Sequence, residues 1–192
     1  KQGNSYDKLL AMKIVLATPL YPPDIGEPAA YVKELAKRLA EEGHSITIVA
    51  YTRLPEKITG VRIISISKHA LLPLRLAAFM KNMISAGRAA DVIYAENGPS
   101  VELPMIVATF LIRTLFILHI GDTLAYERAE KNIFLRYIKR AAIKRAHATV
   151  TDTPLKRPEI LPFHSISATE KNTYEESWKA HIRSLMELFT HV

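Results

Sequence analysis

The sequence predicts an α/β domain with a Rossmann-like three-layer arrangement, in which helices cover both faces of a mainly parallel sheet. Short apolar segments rich in β-branched residues recur along the chain, and stretches with helical character lie between most of them. Strands that alternate with helices in this way are joined by right-handed crossovers and therefore lie parallel. The six predicted strands span residues 12–18, 45–51, 60–67, 91–96, 114–120 and 148–152.

The first strand and the helix after it show the pattern clearly. "MKIVLAT", at 12–18, is a continuous apolar run of strand length, as expected for a strand that is covered on both faces. Pro28 suits the first turn of the following helix because its missing N–H costs nothing there, and Gly43 stands where a carboxyl-terminal cap belongs. Between them, apolar residues recur at helical spacing: Val32, Leu35, Ala36 and Leu39.

The remaining strands are apolar runs of similar length, and one helix between them has an unusual composition. The strands read "SITIVAY", "GVRIISIS", "DVIYAE", "TLFILHI" and "ATVTD". Residues 68–88, "KHALLPLRLAAFMKNMISAGR", hold four Lys or Arg residues and no acidic residue. A helix here would place five apolar side chains on one face: Leu72, Leu76, Phe79, Met80 and Met83. That face either packs on the core or contacts an anionic membrane surface.

Length and composition exclude several classes of protein. With 192 residues the chain has room for one domain with a full core, or for one domain and an appendage. The absence of cysteine excludes disulfides, a thiolate nucleophile and a cysteine-ligated metal. The seven histidines show no HExxH or paired spacing, so no metal site is predicted.

The net charge of +7 is concentrated in one segment, residues 128–145. This segment carries seven basic residues against the single acidic residue Glu130: Arg128, Lys131, Arg136, Lys139, Arg140, Lys144 and Arg145. Such a stripe either attracts the phosphates of nucleic acid, lipid headgroups or nucleotides, or is a solvated helix face.

The sequence also bears on localisation. No apolar run approaches the roughly 20 residues that a membrane-spanning helix needs. Residues 1–11 have no signal-peptide core and are expected to be a tail or an artificial extension. We therefore expect a cytoplasmic protein, which would contact the inner membrane face peripherally if the apolar face of 68–88 is turned to the membrane.

Three polar loops form the candidate site. They follow the first, fourth and fifth strands and read "PLYPPDIGEP", "NGPSVELP" and "GDTLAYE". In a parallel sheet, ligands bind outside the carboxyl ends of the strands, where these loops gather. Gly26 would allow a backbone to approach a ligand near the start of the first helix. No cofactor is predicted, because "GEP" is neither a dinucleotide-binding glycine motif nor a Walker loop.

Three segments in order resemble the first domain of family 4 glycosyltransferases of the GT-B fold. "MKIVLATPLYPPDIGEPAAYVKELAKRLAEEGHSITIVAY" is similar to that family's opening strand, loop and helix. "DVIYAENGPSVELP" is similar to its fourth strand and loop, and "FILHIGDTLAYERA" to its "V-x-G-D-x-A-W-E" segment. The resemblance covers 12–153 and implies one half of a GT-B fold. The chain departs from the family at Glu27, where a glycine is usual, and at Tyr126, where tryptophan is common.

The resemblance also implies how the chain is divided. Family members carry a second Rossmann-like domain that binds the nucleotide-sugar, and a final helix that crosses back to the first domain. Here 154–173 is short enough only for a linker, and 174–190, which includes "WKAHIRSLMELF", resembles the crossing helix. Its apolar stripe of Trp178, Ile182, Leu185 and Phe189 is expected to pack on the domain. The donor-binding domain is therefore absent from this sequence.

The loops and the resemblance together give the candidate residues. Catalytic roles are predicted for His119 and Asp122. Substrate-binding roles are predicted for Gly26, Glu27, Asn97, Gly98, Ser100, Gly121 and Glu127. Each has a structural alternative: a histidine held by backbone hydrogen bonds, acids that stabilise a helix dipole, or ordinary turn residues.

Three functions fit these features. The first is the acceptor-binding domain of a family 4-like glycosyltransferase, which transfers a hexosyl group from a nucleotide-sugar and is inactive without a donor-binding domain or partner chain. Its acceptor would be a sugar or a lipid-linked sugar. The second is a non-catalytic binding module on the same scaffold, which the departure at Glu27 favours. The third is a nucleic-acid-binding domain, which only the basic stripe favours because the chain has no recognised nucleic-acid-binding motif.

Overall fold

A computed structural model describes residues 11–151 and 168–191. It contains six strands: β1 (Lys13–Thr18), β2 (Ser45–Tyr51), β3 (Val61–Ile66), β4 (Val92–Glu96), β5 (Leu115–Ile120) and β6 (Ala148–Thr151). Six helices accompany them: α1 (Glu27–Glu41), α2 (Leu72–Gly87), α3 (Pro99–Ala108), α4 (Thr123–Lys131), α5 (Ile133–Arg145) and α6 (Ala168–His191).

The six strands form one parallel sheet in the order β3-β2-β1-β4-β5-β6. Leu16 of β1 lies between Ile48 of β2 and Tyr94 of β4. The strand order reverses between β1 and β4, which makes that junction the topological switch point where open α/β sheets bind ligands. The predicted Rossmann-like three-layer fold is confirmed, and each predicted strand agrees with the observed one to within a residue at either end.

Two apolar cores lie on the two faces of the sheet. On one face Ile14 and Leu16 pack with α1 and α6, and on the other Val15 and Ala17 pack with α2, α3 and α5. Because alternate side chains of β1 enter different cores, the strand needs apolar residues at every position. This double burial explains the uninterrupted run "IVLA" in the sequence.

Helix α2 uses its apolar face mainly for the second of these cores. Phe79 and Met83 are fully buried there, and the ring of Phe79 stacks on Tyr51 of β2 at 4.8 Å between centroids. The large apolar side chains that this segment exposes are confined to its start, at Leu71, Leu72 and Leu74.

Helix α6 covers the first core together with α1. It begins at Ala168, earlier than the predicted start at 174, so residues 168–173 are helical rather than part of a linker. All four residues of the predicted apolar stripe are buried: Trp178, Ile182, Leu185 and Phe189. Residues 154–167 and 1–10 lie outside the described residues, and the division of the chain into domains stays a prediction.

An ion pair and a ring contact fix α6 against α1. The guanidinium of Arg38 donates hydrogen bonds of 2.7 and 2.9 Å to the two carboxylate oxygens of Glu175, and it lies 5.0 Å from the ring centroid of Trp178. Arg38 also donates a hydrogen bond of 2.7 Å to Glu34, so this one guanidinium is paired with carboxylates on both α1 and α6. The hydrogen bonds from Arg38 hold the pKa of the Glu175 carboxyl below its usual value.

His44, which lies between α1 and β2, makes the stability of the fold depend on pH. Burial lowers the pKa of its imidazole, whose Nδ1 accepts a hydrogen bond from the backbone N–H of Met12 at 3.2 Å. In the unfolded chain the same imidazole has the ordinary histidine pKa of about 6.5. As the pH falls, the unfolded chain therefore binds a proton at this site before the folded chain does. The stabilising contribution of the neutral His44 is therefore present above about pH 6.5, and it is lost progressively as the pH falls from there through the lower pKa of the folded state.

We expect His44→Asn to weaken the pH dependence of unfolding, since the Asn oxygen can accept the hydrogen bond from Met12 without titrating. Urea denaturation at pH 7.5 and at pH 5.5 should show a larger loss of stability for the wild-type chain than for the variant. His69→Asn, at an exposed site, is the control and should keep the wild-type dependence. Equal losses for wild type and His44→Asn would contradict this assignment.

Candidate functional site

The three predicted loops meet at the carboxyl edge of the sheet, beside the switch point. Residues 19–26 follow β1, 97–98 follow β4, and 121–122 follow β5. The β1 and β4 loops are in contact, because a Cβ placed on Gly98 would lie 3.6 Å from Cγ of Pro19. Helices α1 and α3 begin directly after the first two loops, so the positive ends of their dipoles face this edge.

Asn97 joins the β4 loop to the β5 loop. Its side-chain Oδ1 accepts hydrogen bonds from the backbone N–H groups of Gly121 at 3.2 Å and Asp122 at 2.8 Å. Its Nδ2 donates to the carbonyl of Asp122 at 2.9 Å, and the residue is only 3% exposed. Both lone pairs of the amide oxygen are therefore used within the domain. Asn97 shapes the site by holding the two loops together.

His119 lies at the end of β5 as predicted, but its ring is buried. Its Nδ1 is 3.0 Å from Oε1 of Glu96, and both side chains are almost completely excluded from solvent. The ring of Tyr94 stacks on the imidazole at 5.4 Å between centroids. A carboxylate that binds one ring nitrogen fixes the orientation of a histidine and influences where its proton lies.

Glu96 was not among the residues predicted from the sequence, although it is the partner of His119. A signal was present, because Glu96 is a lone carboxylate at the end of an otherwise apolar strand. The register of β4 with β5 places Glu96 directly opposite His119. That register depends on the sheet order, which the sequence alone does not specify.

A chain of hydrogen bonds links the floor of this site to α6. The hydroxyl of Tyr31 on α1 is 3.2 Å from the hydroxyl of Tyr94 and 2.8 Å from Nε2 of His181 on α6. Tyr31 also lies against His119, with 5.7 Å between ring centroids. Buried polar networks of this kind hold their members in one arrangement when every member is paired. Through His181, helix α6 therefore helps to hold Tyr31 in place against His119.

Asp122 acts as the amino-terminal cap of α4. Its Oδ1 accepts a hydrogen bond from the backbone N–H of Ala125 at 2.9 Å, and its side chain is half-buried. Among the described residues no hydrogen bond reaches its second oxygen, Oδ2. One oxygen thus stabilises the helix while the other stays available at the edge of the sheet.

The structure places the other predicted residues less centrally. Glu127 is exposed farther along α4, and the carbonyl of Ser100 accepts a hydrogen bond from the Tyr51 hydroxyl at 2.9 Å. Gly26 precedes α1 with an extended backbone, and its carbonyl accepts hydrogen bonds from the first turn of the helix. Glu27 is the first residue of α1, and its side chain lies outside the described part of the structure.

The proline-rich β1 loop is fixed on both sides. The buried Tyr21 donates its hydroxyl hydrogen bond to the carbonyl of Glu56 at 3.0 Å, and Asp24 forms an ion pair with Lys68 at 2.9 Å. These contacts leave Ile25 at the tip of the loop, where it is fully exposed. The loop is therefore a preformed wall of the candidate site.

The described residues, 11–151 and 168–191, contain neither a metal-binding cluster nor a membrane-spanning helix. Within these ranges no three or more His, Cys, Asp or Glu side chains are close enough together to hold a metal ion. None of the described helices combines the length and the apolar character needed to cross a membrane.

Gly98 should be the glycine that the site tolerates losing least. Its φ of 145° lies where residues with a side chain are strained, whereas Gly26 has an extended φ of 161°. We expect Gly98→Ala to lower the free energy of unfolding by about 1–3 kcal/mol. Gly26→Ala is the control, because its new Cβ would come too close only to the flexible end of the Leu20 side chain, at 2.9 Å, and would make an ordinary contact with Cδ of Pro28 at 3.8 Å. Chemical denaturation should separate the two variants, and equal losses would show that backbone strain is not the cause.

Comparison with known proteins identifies the family. The sequence profile of the glycosyl transferase 4-like domain matches residues 26–165, which is well over half of the chain. The chain belongs to this family. The resemblance inferred from the three loop segments is thereby confirmed. None of the curated proteins compared with the chain matches it.

A solved structure, that of HepE, shares the fold. The crystal structure of Anabaena Alr3699/HepE in complex with UDP and glucose matches with a TM-score of 0.51 and 14% identity, over 88% of this chain and 51% of HepE. This glycosyl transferase 4-like chain thus spans about half the length of HepE. The C-terminal domain of the coenzyme A biosynthesis bifunctional protein CoaBC matches with a TM-score of 0.46 and 14% identity, over 93% of this chain and 97% of that domain.

Proposed function

We propose that the chain is the acceptor-binding domain of a family 4-like glycosyltransferase, which transfers a hexosyl group from a nucleotide-sugar to a sugar or lipid-linked acceptor. The observation that carries the proposal is the meeting of the β1, β4 and β5 loops at the switch point of a domain that belongs to this family. HepE, which was solved with UDP and glucose, supports a sugar-related ligand for the shared fold.

The domain would bind and orient an acceptor hydroxyl at the carboxyl edge of the sheet. Asp122 is the best placed side chain for this role because its Oδ2 is available there. A carboxylate at this point would accept a hydrogen bond from a sugar hydroxyl and take up its proton while the hydroxyl oxygen bonds to the anomeric carbon of the donor, the bond from that carbon to the diphosphate breaks, and the nucleoside diphosphate leaves. A donor-binding domain or a separate chain would have to hold the nucleotide-sugar above the same edge.

We assign His119 a supporting role, since its buried ring is bound to Glu96. The pair holds the end of β5 in position, and the β5 loop with Asp122 follows directly. Gly26, Gly98 and Gly121 would form the backbone wall against which the acceptor lies. Peripheral membrane contact through 68–88 is proposed only for the exposed start of this segment, because its helix faces the core through Phe79 and Met83.

The test uses a change that keeps the fold and removes one charge. Asp122→Asn retains an oxygen that can cap α4, and it should weaken the binding of a soluble acceptor, such as a panel of methyl hexosides, by at least tenfold. Asn132→Asp is a matched control, because Asn132 caps α5 in the same way, through its Oδ1 and the N–H of Leu135 at 3.2 Å. Binding measured by NMR line broadening should be unchanged in the control. Equal affinity of wild type and Asp122→Asn would refute the role of Asp122.

A non-catalytic binding module is the second candidate. The observation that favours it is Glu27 at the start of α1, where the family usually has a glycine. A carboxylate beside the donor diphosphate would oppose transfer through like-charge repulsion. Glu27→Gly in a chain supplied with a donor-binding domain separates the two candidates: a gain of transfer activity from zero would identify the natural chain as a binding module.

A further inference from the structure

The α4–α5 unit exposes large apolar side chains that the sheet does not cover. Ile133, Phe134 and Tyr137 on α5 are 70%, 65% and 69% exposed, and Leu124 on α4 is 63% exposed. We call these four residues the apolar patch. Isolated exposed apolar residues are normal on protein surfaces, but three of these four lie within five consecutive positions of α5, and such a concentration usually marks an interaction site.

Basic residues continue the patch along the same side of α5. Ile133, Tyr137, Arg140 and Lys144 follow one another at intervals of four, three and four residues, so they form one stripe on the helix. This stripe lies opposite Ile138 and Ala142, which are buried against the body of the domain. The stripe is therefore apolar near the start of α5 and cationic near its end.

The acidic residues of this unit do little to offset the positive charge. Glu130 is bound by Lys139 and also lies 3.6 Å from the Nε of Arg136. Lys139 is itself buried and sits 3.7 Å from the centroid of the Tyr126 ring. Glu130 is thus matched within the unit. Glu127 is the other acidic residue of these two helices and is exposed, while four exposed cations remain: Arg128, Lys131, Arg140 and Lys144.

We propose that the α4–α5 face docks on the surface of an anionic lipid bilayer. The apolar patch would enter the boundary between headgroups and acyl chains, while Arg140 and Lys144 meet the lipid phosphates. Aliphatic and aromatic anchors beside basic residues are what such a surface binds. The proposal is independent of sugar transfer, because it rests only on the exposure and the charge of α4 and α5.

The same features disfavour other occupants of this face. In a symmetric dimer the patch would meet its own copy, which brings the cations of two α5 helices together. Nucleic acid would match the charge and could stack bases on Phe134 and Tyr137, but it would leave the aliphatic side chains of Leu124 and Ile133 uncovered. An anionic bilayer can bury the apolar part of the stripe and also pair its phosphates with the cationic part.

The experiment is co-sedimentation of the full 192-residue chain with vesicles. One set consists of phosphatidylcholine alone, and the other contains phosphatidylcholine and phosphatidylserine in a ratio of about 7:3, a surface negative enough to attract basic segments. Two variants separate the apolar and the cationic contributions: Ile133→Ser with Phe134→Ser removes two side chains of the apolar patch, and Arg140→Gln with Lys144→Gln removes the two cations of the stripe. The matched control is the β2–β3 loop, where Arg53, Leu54 and Lys57 are all exposed. Its variants are Leu54→Ser, and Arg53→Gln with Lys57→Gln.

We expect the wild-type chain to bind the anionic vesicles and not to bind the neutral ones. Removal of the two cations should weaken binding about 30-fold, since each basic residue near such a surface contributes about a fivefold factor. Removal of the anchors should weaken it at least tenfold, and the control variants should bind as the wild type does. All changed side chains are exposed, so thermal melts should coincide.

Three results would overturn the proposal. They are the absence of binding to anionic vesicles, equal binding by the α5 variants and the controls, and neutral vesicles bound as well as anionic ones. Self-association through the patch in sedimentation equilibrium, or tighter binding of a single-stranded oligonucleotide that the α5 variants abolish, would assign the face to another occupant and would likewise refute it.

Discussion

Trp178→Ala is expected to lower the free energy of unfolding by about 3–5 kcal/mol, the largest loss we predict for a single substitution in this chain. Trp178 is completely buried on α6, and its ring stacks against Tyr31 at 5.9 Å between centroids. It also lies beneath the guanidinium of Arg38. Alanine would leave a cavity where α6 meets α1, and the neighbours can close it only in part.

Chemical denaturation measures this loss directly. Leu54→Ala is the control, since Leu54 is 74% exposed and its removal should change stability by less than about 0.5 kcal/mol. Deletion of the chain after Asn172 should be more damaging still, because it removes Trp178, Ile182, Leu185 and Phe189 together. If Trp178→Ala unfolds like the wild type, α6 does not belong to the cooperative core of the domain.

The second large effect concerns catalysis. We expect the 192-residue chain by itself to transfer no sugar, because the proposed role of the domain is to bind the acceptor, while a second domain holds the nucleotide of the donor. Without a bound donor the reaction loses the contribution of proximity and orientation, which reaches about 7–11 kcal/mol of the barrier. A domain that closes over the acceptor would also be needed to exclude water from the reacting atoms.

This expectation is measured by transfer of labelled hexose from UDP-, GDP- and ADP-sugars. Addition of a donor-binding domain of the same family, as a separate chain or a fusion, should raise turnover from background to a measurable rate. In that assembly Asp122→Asn should abolish the gain, while Asn132→Asp should keep it. A gain that is equal in both variants would show that Asp122 does not act on the acceptor.

The sheet could be predicted from the sequence because strands that are buried on both faces have apolar residues at consecutive positions. Strands such as "IVLA" are apolar at every position, and the polar loops between them mark their ends. The start of α6 could not be predicted so well. Residues 168–173 contain no apolar residue besides Ala168 and thus no stripe, and the visible periodicity begins only with Tyr174, which packs in the core.

The edge that carries the candidate site was predictable, whereas the interactions within it were not. Parallel strands bring their following loops together whatever the sequence of the loops, so Asn97, Gly98 and Gly121 could be grouped. The pairing of Glu96 with His119 requires the register of β4 with β5, and the contact of Tyr31 with His181 requires the position of α6. Such long-range contacts depend on packing, which local patterns do not encode.

The central claim is that the chain binds an acceptor and not a donor. Isothermal titration calorimetry of the purified chain tests it most directly, with methyl hexosides and a short-chain lipid-linked hexose in one series and UDP-, GDP- and ADP-sugars in the other. We predict saturable binding of at least one acceptor, weakened by Asp122→Asn, and no saturable binding of any nucleotide-sugar at micromolar concentration. Micromolar affinity for a nucleotide-sugar, or the absence of binding by every acceptor, would contradict the claim.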